Sequence, residues 1–580
     1  MPLPEFSGTL GIKRAAHLLR RATFGATKAQ IDTYAAFTPA QAITALFHQA
    51  LPEPVLPIDP KTGQEWFISG TTDANSEGFD LEGFFKKWLI AQMLSVGIAP
   101  ERSLAYSARE RLVYFLHTHF TTITSKVGNT RSLYFQNKLL RLFALDGLVA
   151  DPEVNVKNLT VKISVDNAML RLLDGNENVK GNVNENYGRE LLELYTIGRG
   201  LEGTLPASPA QGDYIMYTED DVKAAARVLS GWDIDDTFSF ADPDTLLPRG
   251  KVRGSRLNAS SHDNEPKQFS PRFSSTLIQG DPLLMSGGNA TEASALDEIV
   301  QLVDMIYTKP ETAKNLCWKL YRFFVYAPHT PAESLAIDGP IITEMANTLV
   351  AGNYKLQPVI ENLLRSQHFY EASGPVTDDN FGGIIKCPLD IVLPTIRLFE
   401  IPITDMLTSP TDYYDQLGEV LGSITNQAMN FYEPSDVAGY DAYHQFPIYH
   451  RFWITPNTLA NRYNFIRSVI SSAEPGMFKA NVYEFVKNNI PGGIASDAKL
   501  LVMELAKYLL PVTDNLTFDD AADDLSGLTA RRVNYFKERF LQTFDEAYWT
   551  TRWNEGAGDL NDQLEYLFNA LMQSPEYQLA

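Results

Sequence analysis

Apolar residues recur at i, i+3, i+4 and i+7 along most of the chain, the spacing that gathers them on one face of an α-helix. The pattern is plain over Ala15 to Phe24, Phe84 to Leu94, Leu133 to Phe143, Asp220 to Trp232 and Ala313 to Phe324. It continues over Ile341 to Leu349, Tyr354 to Phe369, Asp497 to Leu510, Leu528 to Thr543 and Leu560 to Met572. Gly25, Gly147, Gly198 and Gly352 each follow such a segment, where a helix end favours glycine. Strict alternation of apolar and polar residues, the mark of a half-buried strand, is scarce. The expected fold is mainly α: a large irregular multi-helix globular array with long loop excursions and little β.

Three stretches interrupt the helical pattern. Leu51 to Asp80 is rich in Pro, Gly, Thr and Asp and reads as a surface excursion. Asp233 to Gly288 mixes Pro, Gly, Ser and Asn with short β-like pieces around Val252 and Phe269, and is too long for a plain connector. Tyr440 to Pro456 is dense in aromatic residues and holds His444 and His450. These breaks mark an N-terminal helical segment (1–50), the excursion (51–82), a helical core (83–232), a long insertion (233–295) and helical regions at 296–400 and 401–580. No clean linker cuts the chain, so one continuous compact unit is expected.

Composition narrows the function. The 580 residues are 44% hydrophobic and 21% charged, ordinary globular usage that excludes disorder. Acidic residues outnumber basic ones 71 to 49, a net charge of −22 that disfavours nucleic acid and anionic membranes as partners. Two cysteines, Cys317 and Cys387, exclude a disulfide framework and any site built from several thiolates. Met1 to Ser7 lack the basic and apolar regions of an export signal, and no run reaches the ~18 apolar residues of a membrane span. A soluble chain is expected. There is no P-loop, no Gly-x-Ser-x-Gly, no dinucleotide fingerprint and no His-Glu-x-x-His.

Three segments could carry chemistry. In Asp174 to Glu185, oxygen-bearing side chains fall at positions 1, 3, 5, 9 and 12 (Asp174, Asn176, Asn178, Asn182, Glu185), with the Lys180 carbonyl at position 7. That is the ligand spacing of a calcium loop, for calcium or another divalent cation. Val179 stands where the sharp turn wants glycine, and an Asn-rich connection capping two helices explains the segment as well. Next, Asn186, Glu190 and Glu193 sit at i, i+4 and i+7 on one helix face, with Arg189 beside them and able to pair with Glu185. Paired carboxylates suit acid–base work or cation binding, and a solvated polar face explains them equally. Finally, Arg109 and His119 lie on or next to the apolar side of a helix over Arg109 to Phe120, where a charge needs a partner. His117 and His119 point roughly 200° apart at about 100° per residue, so they cannot share one metal. Either His119 is a hydrogen-bonded core histidine, or Arg109 and His119 meet Glu190 or Glu193 across a helix interface. His262 in the insertion could reach back over such a site, or belong simply to a flexible loop.

These residues resemble a known family, the bacterial domain of unknown function 1800 family. His17-Leu18-Leu19-Arg20-Arg21-Ala22-Thr23-Phe24-Gly25 is similar to its opening motif. Arg109-Glu110-Arg111 with His117-Thr118-His119-Phe120 is similar to its next block, with Thr118 where asparagine is common. The most specific block runs from Asp166-Asn167-Ala168-Met169-Leu170 through Asp174 to Asn184-Glu185-Asn186 and Arg189-Glu190-Leu191-Leu192-Glu193-Leu194. Thr218-Glu219, Asp221-Val222, Gly231-Trp232, His262-Asp263, Lys386, Pro388, Gly439 and Ser574-Pro575-Glu576 continue it, and Tyr440 departs from the expected tryptophan. The resemblance carries no activity. It implies that such proteins are often exported and encoded beside another uncharacterised family similar to sulfatases, a source of a possible partner. It also places motif positions on polar residues that packing alone would not require. Three functions stay open: an enzyme using His119, Glu190, Glu193 and His262 with Arg109 stabilising negative charge, a non-catalytic envelope or assembly protein with a structural calcium loop, or a satisfied polar network.

Overall fold

Helix accounts for 58% of the chain and strand for 4%, so the fold is mainly α. The structure, a computed structural model, describes residues 3–61, 63–65, 78–207, 213–370, 380–522, 527–556 and 560–580. Residue 62 and residues 66–77 of the expected surface excursion lie outside the described residues. One hydrophobic cluster runs through the molecule from Leu3 to Tyr577. Burying each large side chain of that cluster stabilises the fold by about 1.5–3 kcal/mol.

The helices that matter for the site are these. Helix α1 spans Gly11–Ala22, α2 Pro100–His119 and α3 Thr130–Ala144. Helix α4 spans Asn186–Glu190, α5 Glu219–Val228 and α6 Glu292–Tyr307. Helix α7 spans Pro310–Phe324 and α8 Pro388–Leu398. Pro100, Pro310 and Pro388 open their helices at the first turn, where the missing N–H costs nothing. Asn129 caps α3 by accepting from the Ser132 amide at 2.8 Å, and Thr218 with Asp221 forms a capping box on α5.

Two glycines set close approaches. A Cβ at Gly188 would stand 2.8 Å from the Ala226 nitrogen and 2.9 Å from the Val222 carbonyl oxygen, so α4 lies directly on α5. Gly25 has φ +108°, and a Cβ there would meet the Pro394 Cα at 2.5 Å, which docks the end of α1 on α8.

The helix expected from Asn184 to Leu194 is only partly regular. It is α over Asn186–Glu190, then forms a π turn over Leu191–Tyr195. The insertion is knitted into the body. Strand β1 (Trp232–Asp233) pairs antiparallel with β2 (Lys251–Val252), and β3 (Lys267–Gln268) with β4 (Leu277–Ile278). Trp232, Val252, Phe269, Phe273 and Ile278 are buried in the shared core. Asp221 of α5 accepts from the Ser270 amide at 2.7 Å, tying the insertion to the motif helices. Cys317 and Cys387 are buried free thiols. No helix among the described residues is long and apolar enough to cross a membrane.

Candidate functional site

Helix α2 is buried along nearly its whole length from Leu104 to His119, so its charged residues must be matched inside the protein. Arg109 does this next door. Its Nε donates to Glu110 Oε1 at 3.1 Å and its Nη1 to the Pro52 carbonyl at 3.1 Å. Arg141 of α3 grips the same carboxylate with bonds of 3.0 and 2.7 Å. Burial alone would raise the Glu110 pKa, but Arg141 and then Arg109 hold it below the usual carboxylate range. At the next position, Arg111 reaches the other way and donates from Nη1 to Asp390 Oδ1 of α8 at 2.7 Å.

Beyond Arg111 the helix walls a cavity of about 50 Å³. At ~10–15 Å³ per water, that is room for three or four waters or one small oxyanion. Helix α1 contributes Arg20 and Arg21, α2 Arg111 and His119, and α7 Lys319 and Arg322. Helix α8 adds Asp390, and the aromatic-rich stretch adds His444 and His450. Five cationic side chains therefore face one side-chain carboxylate, which Arg111 already binds.

The crowding registers in the ionisation of these groups. Burial pulls Arg21 down to about 9, with Arg111 and Arg20 pushing the same way against the attraction of Asp390. Burial pulls Lys319 down to about 7, and Arg322 adds to it. Its Nζ donates to the Leu194 carbonyl and to Nδ1 of His119, the latter at 3.2 Å. Burial, then Lys319, lowers the His119 pKa well below that of a free imidazole. Among the described residues, Arg21 Nε and Nη1, Arg111 Nε, Arg322 Nε and His450 Nε2 are buried in the wall with no hydrogen-bond partner, while His444 Nε2 stands 3.7 Å from Asp441. Leaving a buried polar group unmatched costs about 1–3 kcal/mol, so this wall carries an electrostatic cost that the matched ion pairs of the core do not.

Of the residues proposed from the sequence to carry chemistry, His119 lines this cavity, and Arg20, Arg21 and Arg111 of the family motifs join it. Its ring lies 6.4 Å from that of Tyr195, which follows the carboxylate pair in the chain. Glu190 is half-buried, and burial followed by the charge of Glu193 raises its pKa to about 7. Glu193 is turned to Arg199 at 2.6 Å and to the Tyr217 hydroxyl at 3.2 Å. Arg189 makes a two-pronged bond to Glu219 at 2.6 and 3.1 Å, with Glu185 at 3.7 Å. Asn186 donates to the Leu173 carbonyl at 3.3 Å. His262 is fully buried elsewhere, with Nδ1 against the Ser230 carbonyl at 2.8 Å and Nε2 against Glu298 at 3.1 Å.

The calcium-type spacing folds differently from a cation-wrapping loop. Asp174 takes the left-handed conformation (φ 54°), and Val179 and Asn182 form an antiparallel bridge around Gly181. Asn178 is fully buried, donating to the Ala226 carbonyl at 2.7 Å and accepting from the Asn184 amide at 3.1 Å. The Asn176 carbonyl accepts from Arg253 at 2.6 Å. Among the described residues, no three His, Cys, Asp or Glu side chains gather as a metal site would require.

Arg20, Arg21, Arg111, Lys319, Arg322 and Asp390 were not singled out by spacing. The available signal was a charge inside an apolar helical stripe, as in His17 to Phe24 and Trp318 to Phe324, since such a charge is either paired or functional. No curated protein and no solved structure matches the chain. A family model described as protein of unknown function (DUF1800) does, over residues 17–579. Every residue lining the cavity except Ala580 falls within that match, and the chain belongs to the DUF1800 family.

Proposed function

We propose that this protein is an acid–base enzyme that takes an oxyanion-bearing small molecule into the cationic cavity. The observation that carries the reading is the charge imbalance there: Arg20, Arg21, Arg111, Lys319 and Arg322 line the cavity with Asp390 as the one side-chain carboxylate, and Glu202 stands outside it at 3.8 Å from Arg322, in a chain whose net charge is −22. A protein rich in acidic residues does not bury surplus cations without a counter-charge to receive. Arg21 and Arg322 supply planar donor groups suited to carboxylate, sulfate or phosphate oxygens, while the Arg111 fork is held by Asp390. Lys319 and His119 supply the proton step. With Lys319 near 7, ammonium and free amine are both populated at neutral pH, the condition for efficient proton transfer. When the ammonium donates to Nδ1 of His119, the neutral imidazole carries its proton on the buried Nε2. Glu190, with its raised pKa and its position one turn before Tyr195, is a second group able to exchange a proton near neutrality.

The test is turnover. Wild-type protein and the Lys319→Met and His119→Ala variants are incubated in heavy water with a panel of phosphate, sulfate and carboxylate compounds, and products and deuterium incorporation are followed by NMR. Turnover in the wild type that both variants lose supports the reading. An inert wild type, or full activity in Lys319→Met, overturns it.

A further inference from the structure

A second and larger space adjoins the cationic cavity. It is a cleft of about 410 Å³, the size range of small-ligand pockets, with Ile197, Leu201, Met216 and Trp318 among its walls. Arg322 lines both spaces. On the cleft side it faces Glu202, with Nη1 3.8 Å from the carboxylate, and its guanidinium lies 5.3 Å over the Tyr449 ring. The Tyr449 hydroxyl donates to the same Glu202 carboxylate and holds it beside the arginine. Arg322, Glu202 and Tyr449 thus stand at the boundary of the two spaces.

The two spaces carry opposite charge. The inner one sets Arg20, Arg21, Arg111, Lys319 and Arg322 against Asp390. The outer one sets Glu202, Glu311 and Asp338 against Lys314 and the shared Arg322. Lys314 is already bonded to Asp338 at 2.6 Å, which leaves Glu202, beside Arg322, and Glu311 as the remaining carboxylates of the cleft.

We infer that the substrate is an organic anion with one terminal oxyanion head and an uncharged, partly apolar body, bound head-inward across both spaces. The charge gradient sets the orientation, because an anionic head is repelled by the outer carboxylates and drawn by the inner cations. The inner volume admits the head alone, and the body fills the outer cleft against the apolar walls and Trp318. Glu202 acts as a placeholder: it occupies Arg322 until the head group competes for it. Tyr449 fixes Glu202 for that exchange. The inference rests on the cationic cavity being the binding site.

Calorimetric titration of the full chain tests it. The probes are inorganic phosphate, inorganic sulfate and acetate, each beside its phenyl counterpart (phenyl phosphate, phenyl sulfate, phenylacetate), with phenol as the body alone. For at least one head group the phenyl compound is expected to bind roughly tenfold or more tightly than the bare anion, the gain of filling an apolar cleft, and phenol to bind weakly. Leu201→Trp, which fills the cleft, is expected to erase that preference and leave bare-anion affinity unchanged. Met216→Trp repeats the test from another wall should the first variant fold poorly. Glu202→Gln is expected to tighten bare-anion binding severalfold by releasing Arg322. Bare anions that bind with no phenyl preference in the wild type overturn the two-space substrate and leave the cationic site standing. No binding by any probe overturns the cavity reading, and this inference with it.

Discussion

Two buried clusters of charge in this protein look alike in composition and differ in what surrounds them. In the first, Glu298 of α6 accepts from His262 Nε2, from Lys267 Nζ and from the Gly280 amide, while Lys267 also donates to the Asp263 carbonyl. Cations and carboxylate are matched atom for atom, and Arg227 binds the neighbouring Asp263 at 2.7 Å. In the second, around Arg21, Arg111, Lys319 and Arg322, the cations lining the cavity exceed the carboxylates lining it, and several buried nitrogens lack a hydrogen-bond partner among the described residues. A matched cluster fixes the fold. A surplus is left uncompensated, because cations have given up part of their hydration without a full return inside.

The contrast can be broken most sharply at Glu298. Glu298→Ala leaves Lys267 buried beside no carboxylate and should destabilise the protein by about 3–5 kcal/mol, read by urea unfolding. A loss below 1 kcal/mol would show that the matched cluster is not what fixes the insertion. Next in size is the response to ligand. Inorganic phosphate or sulfate at a hundred times its Kd should add about 2.7 kcal/mol to the unfolding free energy. Arg21→Met should abolish most of that gain, while the Glu298 variant keeps it. The smallest effect is expected at Lys319. Lys319→Met removes one of a surplus, so its unfolding free energy at pH 7 should stay within about 1 kcal/mol of the wild type, or rise.

Lys319 also fixes a pH signature. Its folded pKa of about 7 lies below its ordinary value of 10.5, so the folded state binds fewer protons than the unfolded state between the two. Stability from this group is fully present above 10.5 and is lost as pH falls through 7. Asp146 and Asp166 act in the opposite sense, since burial raises each to about 7 from 3.8. They favour the folded state most below 3.8 and lose that contribution as pH rises through 7. Unfolding free energies measured from pH 7 to 10 should therefore climb more steeply in the wild type than in Lys319→Met. Equal slopes would show that Lys319 titrates as a solvated amine.

The helical text of the sequence was readable because a period of 3.6 leaves a visible stripe, and Leu133 to Phe143 and Leu560 to Met572 lie within helices as expected. The charges of the cavity were not readable as a group. They come from α1, α2, α7, α8 and the 438–453 stretch, and spacing within one helix carries no information about another. Glu190 and Glu193 show a different limit. Placing them on one face assumes regular α geometry, and the π turn at Leu191–Tyr195 shifts the register so that Glu193 meets Arg199. Asn178 shows a third: a liganding spacing says nothing of which side chains the fold has already claimed.

The contact between Arg21 and the Ala580 main-chain oxygen, 2.6 Å long, spans 559 positions of sequence. At 5–20 residues per second, synthesis leaves roughly 30 s to 2 min between the appearance of its two halves. Through that interval Arg20 and Arg21 exist without the wall that completes their surroundings. The cationic wall is thus completed late in biosynthesis, after the helices that supply its other residues have been made.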